Sequence, residues 1–142
     1  MENRAGDKTN NLQKFLRILL GAAMVLAAVA HCTFSRAEFQ AQVPDWIPLN
    51  KDLVVILSGL VEFALGLSMI FWRTERIRVG IALAIFYILI FPGNIAQYVN
   101  HSSAFNLNTD HARLIRLFFQ PVLVLWALWS TGALKYLFYR NT

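Results

Sequence analysis

The chain has 142 residues, of which 57% are hydrophobic and only 15% are charged, and it contains eleven Phe and four Trp. This balance is too apolar for an ordinary soluble domain, and the short segments between apolar runs leave no room for an additional soluble domain. The net charge of +5 accompanies no basic domain, so we expect contact with anionic lipid headgroups and not with nucleic acid.

Four apolar segments predict four transmembrane helices, at residues 15–33, 53–72, 79–98 and 114–134. Each has close to the roughly 20 residues that a helix needs to cross about 30 Å of hydrocarbon. Membrane strands would alternate apolar and polar residues, whereas residues 83–91 are apolar on all sides. The predicted fold is an all-α integral membrane four-helix bundle, with one membrane domain at 15–134 between cytoplasmic segments at 1–14 and 135–142.

The first apolar segment has a second interpretation. A basic start, the apolar residues 18–30 and the small residues Ala28 and Ala30 are also typical of a cleavable signal peptide. We favour a retained anchor, because the leader is long and polar and because cleavage would leave His31 at the N-terminus. Further along the chain, Asn50 and Thr109 are good N-caps for the second and fourth helices.

Lys and Arg residues predict the orientation of these helices. Nine of them fall near the N-terminus as far as Arg17, in the turn between the second and third spans and in the tail. The other side has four, which are Arg36, Lys51, Arg113 and Arg116. Because the cytoplasmic side carries the excess of basic residues, both termini are predicted to be cytoplasmic, in a multi-pass membrane protein.

Glu62 lies near the centre of the apolar run 53–72, which contains no other charge. A carboxylate at that depth costs at least about 2.5 kcal/mol, so such residues face a protein interior, pair with another group or stay protonated. Ser58 and Gly66 lie one turn on either side of Glu62, and Gly59 lies three residues before it. These small residues allow close approach of another helix, which predicts that Glu62 faces inward.

Other polar residues fall at similar depths. Counting 1.5 Å per residue from the outer end places Glu62 roughly 14 Å deep, Gln120 roughly 9 Å and Arg116 about 3 Å. We therefore predict an intramembrane polar cluster of Glu62, Asn94, Arg116, Gln120 and His31. The cluster could satisfy polar groups between packed helices, or it could bind a ligand, a proton or a partner. A Glu62–Arg116 ion pair is not required, because Arg116 could instead extend to the membrane surface.

The segment between the first two spans contains Val43-Pro44-Asp45-Trp46-Ile47-Pro48. Its two prolines restrict the backbone, and its Trp and Ile offer apolar surface. We interpret this segment as a stiff connector with an aromatic anchor at the membrane interface. The alternative is an interface or a binding lid formed by Pro44, Trp46 and Pro48.

In order along the chain, several short motifs resemble the DoxX-like membrane proteins over residues 15–130. The motifs are His31, the Pro-Asp-Trp-Ile-Pro segment, Ser58-Gly59-Leu60-Val61-Glu62, Leu65-Gly66-Leu67, Phe91-Pro92-Gly93-Asn94-Ile95, Arg116 and Gln120-Pro121. This bacterial four-helix family takes its name from a subunit of a thiosulfate:quinone oxidoreductase, and it has relatives linked to thiol redox chemistry. The resemblance implies a bacterial inner membrane, and quinone is a possible cofactor only on this basis.

The residues themselves do not predict an enzyme. Cys32 has no second cysteine with which to exchange a disulfide, and the three His residues lack the spacing of a metal site. We favour a non-enzymatic role and predict neither metal nor cofactor. Two functions stay open: an accessory component that binds a membrane protein partner or a second copy, or a transporter or enzyme that handles a small molecule or a proton in an outward-facing pocket around Glu62.

Overall fold

The structure is a computed structural model that describes residues 9–33, 37, 40, 43–99 and 109–140. Within these residues the chain forms five helices, which are α1 (Asn11–Cys32), α2 (Lys51–Phe71), α3 (Arg76–Val99), α4 (Asp110–Thr131) and α5 (Ala133–Arg140). The first four confirm the predicted helices, and each is long and apolar enough to cross a membrane. The predicted all-α class is therefore confirmed.

Capping residues explain where the helices begin and end. The Asn50 side chain accepts a hydrogen bond from the Asp52 amide, and the Thr109 side chain accepts one from the Ala112 amide, as the sequence predicted. Gly132 has a φ of 81° and ends α4 in the left-handed conformation. The fourth helix therefore ends before the predicted boundary at residue 134, and residues 133–140 form a separate short helix.

The four long helices form an up-and-down bundle. Among the described residues, α1 packs against α2 and α4, and α3 packs against α4 and α2. The α1–α2 pair and the α3–α4 pair have the largest contacts, whereas α2 and α3 touch much less. We call the end where α1 and α3 end and α2 and α4 begin the loop end. The opposite end, which holds the α2–α3 turn, is the turn end.

A single stripe of α2 faces the interior. Its buried residues are Val55, Gly59, Glu62, Gly66 and Met69, spaced three and four apart. The inward orientation predicted for Glu62 is thus confirmed. Opposite this stripe, Gly21 of α1 meets Gly66 so closely that a Cβ on Gly66 would lie 2.9 Å from the Gly21 carbonyl oxygen. Two glycines therefore allow α1 and α2 to touch through their backbones.

Large apolar side chains cover the outside of the bundle. Leu26, Leu89 and Phe118 are each about 70% exposed, and they come from three different helices. In the apolar stretch of each long helix, only 22% to 33% of the residues are buried. An exposed apolar surface of this extent is unfavourable in water and is typical of a protein that contacts lipid.

Candidate functional site

A cavity of about 520 Å³ occupies the loop end of the bundle. All four long helices line it, and so do Val43, Pro44, Trp46 and Ile47 of the segment between α1 and α2. The cavity extends inward as far as Leu20 on α1, Glu62 on α2, Phe86 on α3 and Leu123 on α4. Its size falls within the roughly 300–1,000 Å³ that is usual for small-molecule sites.

Four residues of the predicted polar cluster line this cavity: Glu62, Asn94, Arg116 and Gln120. They come from α2, α3 and α4, so the cavity brings together side chains that are far apart in sequence. The side chain of His31, the fifth predicted member, lies outside the described residues, as does residue His101. The wall that α1 contributes is entirely apolar and consists of Leu20, Ala23, Met24 and Ala27.

Gln120 connects α4 to α3 through two hydrogen bonds. The Asn94 amide nitrogen Nδ2 donates to Gln120 Oε1 at 3.0 Å, and Gln120 Nε2 donates to the main-chain carbonyl of Tyr87 at 2.8 Å. The Asn94 and Gln120 side chains are both buried. Pro92 lies inside α3 and lacks the N–H that would donate to the Ile88 carbonyl, and Gln120 donates to the carbonyl of the residue before Ile88. The two bonds fix the orientation of the Gln120 amide.

Glu62 is only 8% exposed and is the lining residue of α2 that lies farthest from the loop end. Its carboxyl group is therefore at the inner limit of the cavity on that helix. Ser58 lines the cavity one turn nearer the loop end, and its hydroxyl donates to the Val55 carbonyl at 3.0 Å. Because α2 and α4 are diagonal in the bundle, Glu62 approaches the cavity from the side opposite Gln120.

Arg116 is half-buried and lines the cavity four residues before Gln120, on the face that the sequence predicted. Its neighbour one turn earlier, Arg113, has a side chain outside the described residues. The cavity therefore combines a carboxyl group, a guanidinium and two amides with apolar walls. This set can accept and donate hydrogen bonds to a polar group of a ligand while the rest of the ligand contacts apolar side chains.

The segment between α1 and α2 covers part of the cavity. Pro44 and Trp46 are lining residues, whereas Pro48 is not among them, and Trp46 remains 74% exposed. Lys51 Nζ lies 2.7 Å from Asp45 Oδ1, which ties the segment to the first residue of α2. This hydrogen bond, together with the positive charge of Lys51, lowers the pKa of Asp45. The interface anchor and the lid both stay predictions.

Sequence reasoning missed Tyr87, which is buried, lines the cavity and supplies the carbonyl that Gln120 contacts. The available signal was a phenol in the middle of an apolar span, five residues before Pro92. In the part of the chain that the structure describes, no group of three or more His, Cys, Asp or Glu side chains could hold a metal ion. Cys32 is exposed at the end of α1.

Comparison with known families identifies the chain. Residues 20–131 match the family described as Domain of unknown function (DUF8561), and the chain belongs to that family. The resemblance to the DoxX-like proteins is wrong, because the family that matches is this one and no DoxX-like family does. Small residues at helix contacts and a proline within a span meet general packing needs of helical membrane bundles, so these motifs do not identify one family.

The expectations of a bacterial inner membrane and of a quinone rested on that resemblance, and they lose this support. No curated protein and no solved structure matches the chain.

Proposed function

We propose that this member of the DUF8561 family is a multi-pass integral membrane protein whose cavity binds a small, largely apolar molecule with one polar group. The observation that carries the proposal is the cavity itself, in which Glu62, Asn94, Arg116 and Gln120 converge between apolar walls. A bundle that used its polar residues only for packing would close around them, because empty space beside buried groups lowers stability.

Membrane insertion is supported by the four long apolar helices and by the apolar side chains that cover the outside of the bundle. The distribution of basic residues supports the orientation. Arg73, Arg76 and Arg78 lie in or beside the α2–α3 turn, which favours a cytoplasmic turn end. In this orientation the loop end, and with it the cavity, faces the opposite side of the membrane.

The lining predicts the chemistry of the ligand. The α1 wall is entirely apolar, whereas the polar groups belong to α2, α3 and α4, so a bound molecule would place an apolar face against α1. Its polar group would lie between Glu62, which accepts hydrogen bonds when ionised, and the donors of Arg116. An amine, amide or hydroxyl attached to an apolar body of modest size fits this arrangement.

The test is to fill the cavity. Ala27 lines it from α1, and Ala27→Phe would place an aromatic ring in the space. The matched control is Ala64→Phe, because Ala64 is an exposed position of α2 outside the cavity lining. We expect native mass spectrometry of protein purified in nanodiscs to detect a small molecule, distinct from the added lipids, in the wild type and in Ala64→Phe but not in Ala27→Phe. Equal occupancy in all three proteins, or none in the wild type, would contradict the proposal.

Glu62→Gln tests the role of the carboxyl group. The amide has nearly the same shape and keeps most hydrogen bonds, so we expect the variant to fold with wild-type thermal stability. If Glu62 binds the polar group of the ligand as a carboxylate, occupancy should fall by at least about tenfold, because a charge-assisted hydrogen bond is stronger than a neutral one. Unchanged occupancy would assign Glu62 to packing alone.

One observation favours the alternative role, in which the protein is an accessory component that binds a membrane protein partner. Trp46 is 74% exposed beside the cavity, and an exposed aromatic side chain can anchor a partner. Trp46→Ala should then reduce capture of a membrane protein partner without changing cavity occupancy. The loss of occupancy without any change in partner capture would instead place Trp46 on the ligand.

A further inference from the structure

A group of arginines at the turn end is separate from the cavity. Arg17 lies within α1 and is only 3% exposed, although the sequence placed it among the basic residues of the cytoplasmic rim. Its Nη1 donates to the main-chain carbonyl of Met69, in the last turn of α2. A positive charge there is favourable because the carbonyl end of a helix carries a partial negative charge, and the last turn of α2 contains no basic residue of its own.

Two further arginines lie near the Arg17 guanidinium. The positive charges of Arg73 and Arg76 lie close enough to Arg17 to repel it. The neighbouring acid does not offset them, because the Glu75 carboxylate pairs with Arg78 at 3.0 Å. Arg17 is buried, Arg76 is half-buried and Arg73 is exposed, so three like charges lie near one another at the turn end, which is unfavourable unless an anion lies between them.

Two of these arginines also have a buried hydrogen-bond donor that lacks an acceptor in the described part of the chain. The Nε atoms of Arg17 and Arg76 are buried and donate to no described residue. Buried donors in proteins are normally satisfied, so each calls for an acceptor. Arg76 is moreover the first residue of α3, where the free amides and the helix dipole add positive potential.

We infer that Arg17, Arg73 and Arg76 form a binding site for a phosphate group at the turn end of the bundle. Phosphate has several strong acceptor oxygens and matches the planar, forked donors of arginine better than a lone carboxylate would. If the turn end is cytoplasmic, as proposed above, the site lies at the level of lipid headgroups. The phosphate could belong to an anionic phospholipid or could be free.

The test titrates purified protein in a neutral detergent with short-chain phosphatidylglycerol, and in parallel with inorganic phosphate, while thermal unfolding is measured. The test variant is Arg73→Gln/Arg76→Gln, which leaves the buried Arg17 contact with Met69 in place. The matched control is Arg78→Gln, which removes the same type of charge from an exposed side chain that is already paired with Glu75.

We expect phosphatidylglycerol to stabilise the wild type and Arg78→Gln with the same midpoint, and the double variant with a midpoint at least about tenfold higher. Equal stabilisation by inorganic phosphate would support the site and assign it to free phosphate. The same midpoint in all three proteins, or no shift with either probe, would overturn the inference. Ala27→Phe should leave this titration unchanged, so failure of the cavity proposal would be distinguishable from failure of the phosphate site.

Discussion

The hydrogen bonds of Gln120 predict that Gln120→Leu weakens the packing of α4 on α3. Leu has a similar volume, so the change removes the two bonds to Asn94 and to the Tyr87 carbonyl without opening a large void. Hydrogen bonds between membrane helices contribute about 0.6 kcal/mol on average and about 1.7 kcal/mol at most. Two such bonds therefore predict a loss of about 1–3 kcal/mol in the free energy of unfolding.

The measurement is the free energy of unfolding of the protein in mixed micelles, followed by circular dichroism during titration with a denaturing detergent. A double-mutant cycle with Asn94→Leu isolates the contact between the two side chains. Since the single variants lose the same Asn94–Gln120 bond, the double variant should lose less than the sum of the two single losses, by about 0.5–1.7 kcal/mol.

Phe119→Leu is the matched control, because Phe119 immediately precedes Gln120 in α4 and is half exposed on the outside of the bundle. Its free energy of unfolding should stay within about 0.5 kcal/mol of the wild type. Strictly additive losses in the cycle, or a loss for Gln120→Leu no larger than that of the control, would refute the role assigned to the Asn94–Gln120 bond.

Two further predictions concern the helix contact and the segment over the cavity. Gly66→Val should lower the free energy of unfolding by about 1–3 kcal/mol, because its side chain would meet the Gly21 carbonyl, whereas Ala64→Val on the exposed face should not. The lowered pKa of Asp45 means that its attraction to Lys51 is present above the ordinary carboxyl pKa near 3.9 and is lost only as pH falls through the lowered value. Amide exchange at residues 45–47, corrected for intrinsic rates, should therefore stay constant from neutral pH to about pH 5 in the wild type and be faster throughout in Lys51→Gln. A change over that pH range in the wild type would contradict this assignment.

The helices and the inward face of Glu62 could be predicted because their signals are local. Asn50 and Thr109 cap the helices in which they stand, and the spacing of Gly59, Glu62 and Gly66 defines a face whatever the neighbouring helix is. The Gln120 contact with the Tyr87 carbonyl could not be predicted in the same way. It depends on which helices are neighbours and on their relative rotation, and a single sequence does not specify either.

The burial of Arg17 also could not be predicted from the sequence. Its position before the main apolar run is typical of a solvated residue, and the distribution of Lys and Arg residues placed it on the predicted cytoplasmic side. In the structure α1 begins at Asn11, four residues before the predicted start, and Arg17 faces the end of α2. Its burial follows from the packing of α1 against α2, which composition does not report.

The inward face of α1 links the two proposed sites through one helix contact. In order along this face, Arg17 contacts the end of α2, Gly21 meets Gly66, and Met24 and Ala27 line the cavity. Sliding α1 along α2 by one turn would remove Arg17 from the Met69 carbonyl and would shift every side chain that α1 presents to the cavity. The close Gly21–Gly66 contact thus sets the register on which both sites depend, and small residues beyond it leave the cavity open. Gly66→Val should for that reason lower both ligand occupancy and phosphatidylglycerol binding, whereas Ala27→Phe should affect the cavity alone.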